Sequence, residues 1–136
     1  MTVMVSEQTK FKFKGYRVIK SKIDIAPSGN IKQELNVTFS GIKNDICDSV
    51  YILDLGVSVS NEDKSLGIDV EMRGFFEFDK ELLEQEKGAF FTGSAPAIMF
   101  PYLRAYISTL TGLSGIEPII LPTINFSAGL QRAQKE

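Results

Sequence analysis

Between Phe11 and Phe78 the apolar residues recur mostly at every second position, the spacing that turns one side of an extended strand toward a core. The most regular stretch sets Leu66, Ile68, Val70, Met72, Phe76 and Phe78 against Asp69, Glu71, Arg73 and Glu77. Before it, Leu53, Leu55, Val57 and Val59 alternate with Asp54, Gly56, Ser58 and Ser60. Earlier still, Ile31, Gln33, Leu35, Val37 and Phe39 alternate with Lys32, Glu34, Asn36, Thr38 and Ser40. The first strand, Phe11 to Ile25, is less regular. Phe11 and Phe13 share one face, Tyr16 and Val18 the other, and Ile19, Ile23 and Ile25 follow, which a single phase slip at Gly15 explains. A turn at Ala26–Asn30, a polar break over Gly41–Asp48 and a hairpin-like loop at Asn61–Lys64 separate the four strands. Short connections of this kind predict an antiparallel sheet with one wet face and one apolar face. Phe75 falls on the wet face and interrupts it.

After Phe78 the period changes. Asp79–Lys87 is acidic with Leu82 and Leu83 as its apolar anchors, enough for a helical turn or two. Ser94 stands two residues before Pro96, the arrangement of a helix N-cap. From Ala97 to Leu113, Met99, Leu103, Tyr106, Leu110 and Leu113 recur at alternating steps of four and three, and Ile98, Tyr102 and Ile107 widen the stripe. Pro101 lies inside this pattern and either kinks the helix or marks where its regular part begins. Gly112 and Gly115 end it. Ile116–Phe126 is apolar but punctuated by Pro118 and Pro122, so it reads as an extended strap lying over apolar groups. Ser127–Glu136 reads as a short final helix. The fold class expected is α+β: a four-stranded antiparallel sheet packed with one long helix, a Pro-rich crossover strap and a short C-terminal helix. Residues 1–136 form one domain, with 1–10 as a disordered arm.

Composition agrees with a globular chain: 43% of the 136 residues are hydrophobic and 24% charged. No run approaches the roughly 18 apolar residues of a membrane-spanning helix, and Met1–Lys14 lacks a signal-peptide core, so the expected location is cytoplasmic, without direct membrane insertion. Cys47 alone cannot make an internal disulfide. Residues 1–32 carry seven basic and two acidic side chains, an asymmetry too mild for nucleic-acid binding. Lys12, Lys14, Lys20 and Lys22 share one face of the first strand, where the simplest reading is a charged edge guarded against aggregation.

The catalytic chemistry is mostly excluded. Without histidine there is no Ser-His-Asp or Cys-His arrangement, and no zinc site of Cys and His. Asp69 and Glu71 share a strand face but are best explained as solvated surface, and no glycine-rich phosphate loop occurs. An enzyme is not expected, nor a cofactor or metal. What remains is apolar area in excess of what two thin layers can hide: Phe75, Phe76, Phe78, Phe90, Phe91, Phe100, Tyr102, Ile119, Ile120, Leu121 and Phe126. Full burial is worth roughly 1.5–3 kcal/mol for each, so uncovered remnants would drive assembly or partner binding.

Two spaced segments then carry a resemblance. Ala97-Ile-Met-Phe-Pro-Tyr-Leu-Arg104, followed by Leu121-Pro-Thr-Ile-Asn-Phe126, resembles the SecB protein-export chaperone family, in which a Leu/Phe-Pro-Tyr-x-Arg helix precedes a Leu-x-Pro-x-Asn-Phe segment. Gly88-Ala-Phe90, Ala26-Pro27 and Arg73-Gly-Phe-Phe76 add to it. The resemblance spans about residues 11–126. It implies a homotetramer, a dimer of dimers with the long helices sandwiched between subunit pairs. It also implies an ATP-independent holdase that wraps unfolded preproteins along apolar grooves for export. Phe75, Phe76, Phe78, Phe100, Tyr102, Ile119, Leu121 and Phe126 are the candidate client-binding residues, and Asp69 is the candidate contact for the SecA motor ATPase. Two features depart from the export members: the sequence ends soon after Phe126 with a basic-leaning segment, and only Asp69 matches the family's motor-binding acids. A SecB-like chaperone serving an antitoxin is therefore the alternative within the family. A structural or adaptor subunit, its apolar surface filled by one permanent partner, is the alternative outside it.

Overall fold

The computed structural model describes residues 11–31, 34–79 and 81–123. Four strands, β1 (Phe11–Ile25), β2 (Leu35–Cys47), β3 (Val50–Asn61) and β4 (Leu66–Phe78), pair antiparallel in the spatial order β1-β4-β3-β2. β2, β3 and β4 follow one another through hairpins, whose tips hold Asp48 and Lys64 in the left-handed region at φ 55° and 62°. The connection from β1 to β2 instead crosses the end of the sheet. Its entry is fixed where the Ala26 amide donates to the Ser65 carbonyl at 2.8 Å.

The alternation of β3 and β4 is realised side chain by side chain. Tyr51, Leu53, Leu55, Val57 and Val59 from β3, with Leu66, Ile68, Val70, Met72, Phe76 and Phe78 from β4, are all buried on one face. Two sequence readings change. β1 slips phase twice, between Phe13 and Gly15 and again between Val18 and Lys20. The second bulge leaves Ile19 exposed. β2 does not stop at Gly41: a bulge between Phe39 and Gly41 shifts the alternation, and pairing with β3 carries the strand on to Cys47. The polar residues after Gly41 looked like a break because the phase had moved.

The helical region also starts earlier than its hydrophobic stripe. α1 (Glu84–Ala89) runs through a π turn at Phe90–Ser94 into α2 (Ala95–Leu113). Ser94 has helical φ/ψ of −70° and −42° and makes no side-chain cap bond, so it is interior and not the N-cap its neighbours suggested. The π turn sends two consecutive rings to the sheet. Phe90 stacks on Phe11 at 3.8 Å and Phe91 on Tyr51 at 3.9 Å, contacts that outweigh the poor helix propensity of Gly88 and Gly93. The helix continues through Pro101, whose ring is exposed. α2 lays Met99, Leu103 and Ile107 on the sheet's apolar face. Among the described residues, no helix is long and apolar enough to cross a membrane. The arm over 1–10 and the final helix over 127–136 lie outside the described residues.

Candidate functional site

The strap after α2 is positioned by its first residues. Gly115 adopts φ +91°, a left-handed conformation that turns the chain off the helix and back along it. The return path is tight, since a Cβ on Gly112 would stand 3.2 Å from Cγ of Pro118. The fully buried Thr111 holds it: its hydroxyl donates to the Ile107 carbonyl at 2.8 Å and accepts from the Ile119 amide at 2.9 Å. The strap is then extended, so successive side chains alternate. Ile119 and Leu121 enter the core, while Ile120 between them is 67% exposed.

This strap separates two clefts. One, of about 390 Å³, lies between the strap and the β1–β2 connection and is lined by Asn30, Ile31, Leu35, Ile116, Glu117 and Ile119 among others. The second, of about 590 Å³, lies between the strap and one face of α2, where Phe100, Pro101, Arg104 and Ser108 meet Ile120 and Thr123. Arg104 is the charged side chain of this second, mostly apolar cleft.

The other flank of α2 carries an aromatic patch. Tyr102 packs against Tyr16 at 4.9 Å and Phe13 at 5.6 Å, and Tyr106 donates to Ser21 Oγ at 2.7 Å. Tyr16 and Tyr102 remain 44% and 42% exposed, with Ile98 and Ile19 also on the surface.

The opposite face of the sheet is polar and largely self-neutralised. Arg73 donates from Nε and Nη2 to both carboxylate oxygens of Asp54, at 2.7 and 2.9 Å. That bond, more than bulk charge, raises the Arg73 pKa above its ordinary value. Ser58 donates to Asp69. In the β1–β4 register Lys22 stands opposite Asp69, Lys20 opposite Glu71 and Lys12 opposite Glu77.

The candidate client-binding residues therefore separate. Phe76 and Leu121 are wholly inside the protomer; Phe78, Phe100 and Ile119 are buried, although Phe100 and Ile119 edge the two clefts. Tyr102 is on the aromatic patch, and Phe75 is half-buried on the polar face opposite Ile52. Phe126 lies outside the described residues. Asp69 is on the polar face, facing Ser58 and Lys22. Ile31, Leu35 and Tyr16 escaped the sequence reading as surface groups, and Ile120, named there among the surplus apolar residues, was not among the candidate client-binding ones. For Tyr16 the signal existed, since a bulge at Gly15 returns it to the apolar side of β1. For the others it did not, because apolar residues of a strap or strand end look alike until packed.

The family model described as preprotein translocase subunit SecB matches residues 18–136. The chain belongs to the SecB family. An uncharacterized protein of Methanocaldococcus jannaschii is 39% identical over 72 residues, covering 51% of this chain and 46% of that protein. The protein-export protein SecB of Acidithiobacillus ferrooxidans is 30% identical over 77 residues, or 57% and 51% of the two chains. That of an Azoarcus species is 30% identical over 95 residues, or 67% and 62%. The chain thus spans about half the length of the first two relatives. The SecB-like chaperone of Mycobacterium tuberculosis, solved with a ChAD peptide from an antitoxin, superposes with a TM-score of 0.70 at 16% identity, covering 88% of this chain and 95% of that one. At that identity the likeness is one of fold, and it places the sheet, long helix and strap in a SecB-like α+β architecture.

Proposed function

We propose that the protein is an ATP-independent, non-enzymatic chaperone that holds unfolded polypeptides in the two clefts beside the strap. The observation that carries this reading is Ile120, a large apolar side chain two-thirds exposed on a strap whose neighbours are buried. A side chain so placed loses roughly 1.5–3 kcal/mol of possible burial unless something covers it. Both clefts are open, and the one between the strap and α2 is mostly apolar, as a binder of unspecific sequence needs. Membership of the SecB family, with relatives named as protein-export proteins, supports the same reading.

The working form is a cytoplasmic homotetramer, a dimer of dimers joined through the aromatic patch and α2. Its clients are unfolded preproteins or an antitoxin, and the SecA motor is the partner expected in the export role. One observation favours the antitoxin role: Asp69, Glu71 and Glu77 on the outer side of β4 each face a lysine of β1, which leaves little net negative field there for a motor partner to read. Purified protein without nucleotide should suppress aggregation of a preprotein diluted from denaturant at one tetramer per client. Failure to do so at a several-fold excess would remove the holdase reading. Parallel trials with a preprotein and with an antitoxin, each with and without SecA, separate the two roles.

A further inference from the structure

We propose that the two clefts beside the strap sort client segments by charge, in opposite senses. The cleft against α2, through Arg104, takes a segment that sets an acidic side chain beside a large apolar one. The cleft beneath the strap, through Glu117, takes a segment with a basic side chain in that place. The inference rests on the holdase reading and specifies which segments each cleft holds.

Arg104 is the one charged residue in the 19 of α2. Ala97, Pro101, Arg104 and Ser108 recur at steps of four and three, so they line one side of the helix. Across the cleft that side meets Ile120 and Thr123 of the strap. Among the described residues no carboxylate lines this cleft, and Arg104 makes no hydrogen bond or ion pair. A half-buried guanidinium beside Phe100, Pro101 and Ile120 is therefore left with its donors unused by the protein. A carboxylate brought there gains charge-assisted hydrogen bonds, and Ser108 adds a hydroxyl one turn along the same side. An ammonium brought there would be repelled.

The acid of the strap falls on its other side. Glu117, two residues after the turn at Gly115, lines the first cleft with Ile31, Leu35, Ile116 and Ile119. Among the described residues no base lines that cleft, and Glu117 has no ion pair. The strap thus divides a cleft with one uncompensated cation from a cleft with one uncompensated anion. Apolar burial supplies affinity without regard to sign, whereas the charges decide which apolar segments settle on which side. Rejection is half of that choice, because a like charge loses its water and gains no partner. A segment laid across the strap satisfies both clefts only when its acidic part lies against α2 and its basic part beneath the strap. That requirement fixes the direction in which the client runs.

Three dansyl-labelled, C-terminally amidated peptides test the sorting, alike in two Leu and one Phe and differing at one site that holds Glu, Gln or Lys. At low salt the Glu and Lys versions should each bind about two- to fivefold more tightly than the Gln version, the range for partly exposed ion pairs. Both gains should disappear at about 1 M salt, where charges are screened within about 3 Å. Arg104→Gln should abolish the gain of the Glu version and keep that of the Lys version. Glu117→Gln should do the reverse, each with unchanged circular dichroism. On the unaltered protein, the Glu version should shift the amide resonances of Ile120 and Thr123 most, and the Lys version those of Ile116 and Glu117. If the three peptides bind alike, or either variant loses both gains together, the clefts do not sort by charge. The proposal is then overturned while the holdase reading stands. If no peptide binds, the proposal falls, and if an unfolded preprotein is not held either, the holdase reading falls with it.

Discussion

The Thr111 hydroxyl accepts the Ile119 amide at 2.9 Å from within α2, so a side chain of the helix supplies the hydrogen bond that an extended strap cannot make with itself. The same hydroxyl donates back to Ile107, as threonines inside helices commonly do. Thr111→Val keeps the shape and removes the acceptor. It leaves a buried N–H without a partner, at a cost of about 1–3 kcal/mol borne by the strap. Amide exchange at Ile119 should accelerate by at least tenfold, while amides of β3 and β4 change little. Equal acceleration across the sheet would mean that strap and core unfold together.

Within the strap, adjacent residues should answer differently to the same change. Leu121 is 0% exposed and Ile120 67%. Leu121→Asp buries a charge in the core and should unfold the protein, seen as loss of the far-ultraviolet circular dichroism transition. Ile120→Asp should leave that transition within a few degrees and reduce aggregation suppression several-fold. A folded, client-competent Ile120→Asp protein would move the client site elsewhere.

At the centre of the sheet, Gly74 has no room for a side chain. A Cβ there would overlap Met99 Sδ and stand 3.1 Å from its Cγ, and Met99 is fully buried, so its side chain would have to shift within the packed core. Gly74→Ala should destabilise by about 1–3 kcal/mol through overpacking. Met99→Ala alone should also destabilise, by leaving a cavity. The double change should cost less than the two added together, since each relieves the other. Denaturant titration of all four proteins measures the coupling, and strict additivity would show that the contact is not what limits residue 74.

The parts of this architecture that were legible in the sequence are those whose packing is one-sided and uninterrupted. β3 and β4 bury one face along their whole length, so alternation alone locates them. The end of β2 was not legible, because the bulge at Phe39/Gly41 moves the phase and only the pairing with β3 shows that the strand continues. α1 was legible only as a helical turn or two over Asp79–Lys87, and its continuation through the π turn was hidden for another reason. Their local signal is weak, with two glycines and few apolar residues, and the rings of Phe90 and Phe91 hold the segment by contacts distant in sequence. For the functional surface, the sequence marks the strap and the long helix as too apolar for their positions. Which of Ile119, Ile120 and Leu121 points outward depends on where Thr111 catches the strap, and that is decided in three dimensions.

The Tyr16–Tyr102 contact, at 4.9 Å, joins β1 to α2 on a flank where both rings stay more than two-fifths exposed. Within the protomer such a pair contributes about 0.5–1.5 kcal/mol beyond area burial. Its larger unused area, with Ile98 one turn before Tyr102 on α2 also exposed, is what an interface between copies would cover. Tyr102→Asp should therefore change assembly more than stability. The protomer loses one partial ring contact, whereas an interface would have to bury an uncompensated carboxylate, at a cost of several kcal/mol for each copy of the patch. Light scattering should show the particle mass fall below that of four chains, with a thermal midpoint shift small beside that of Gly74→Ala. Tyr102→Phe, which keeps the ring and forfeits only the hydroxyl, should retain the parent mass. If Tyr102→Asp keeps the full mass but binds clients more weakly, the patch is part of the client surface and the subunits meet elsewhere on the protomer.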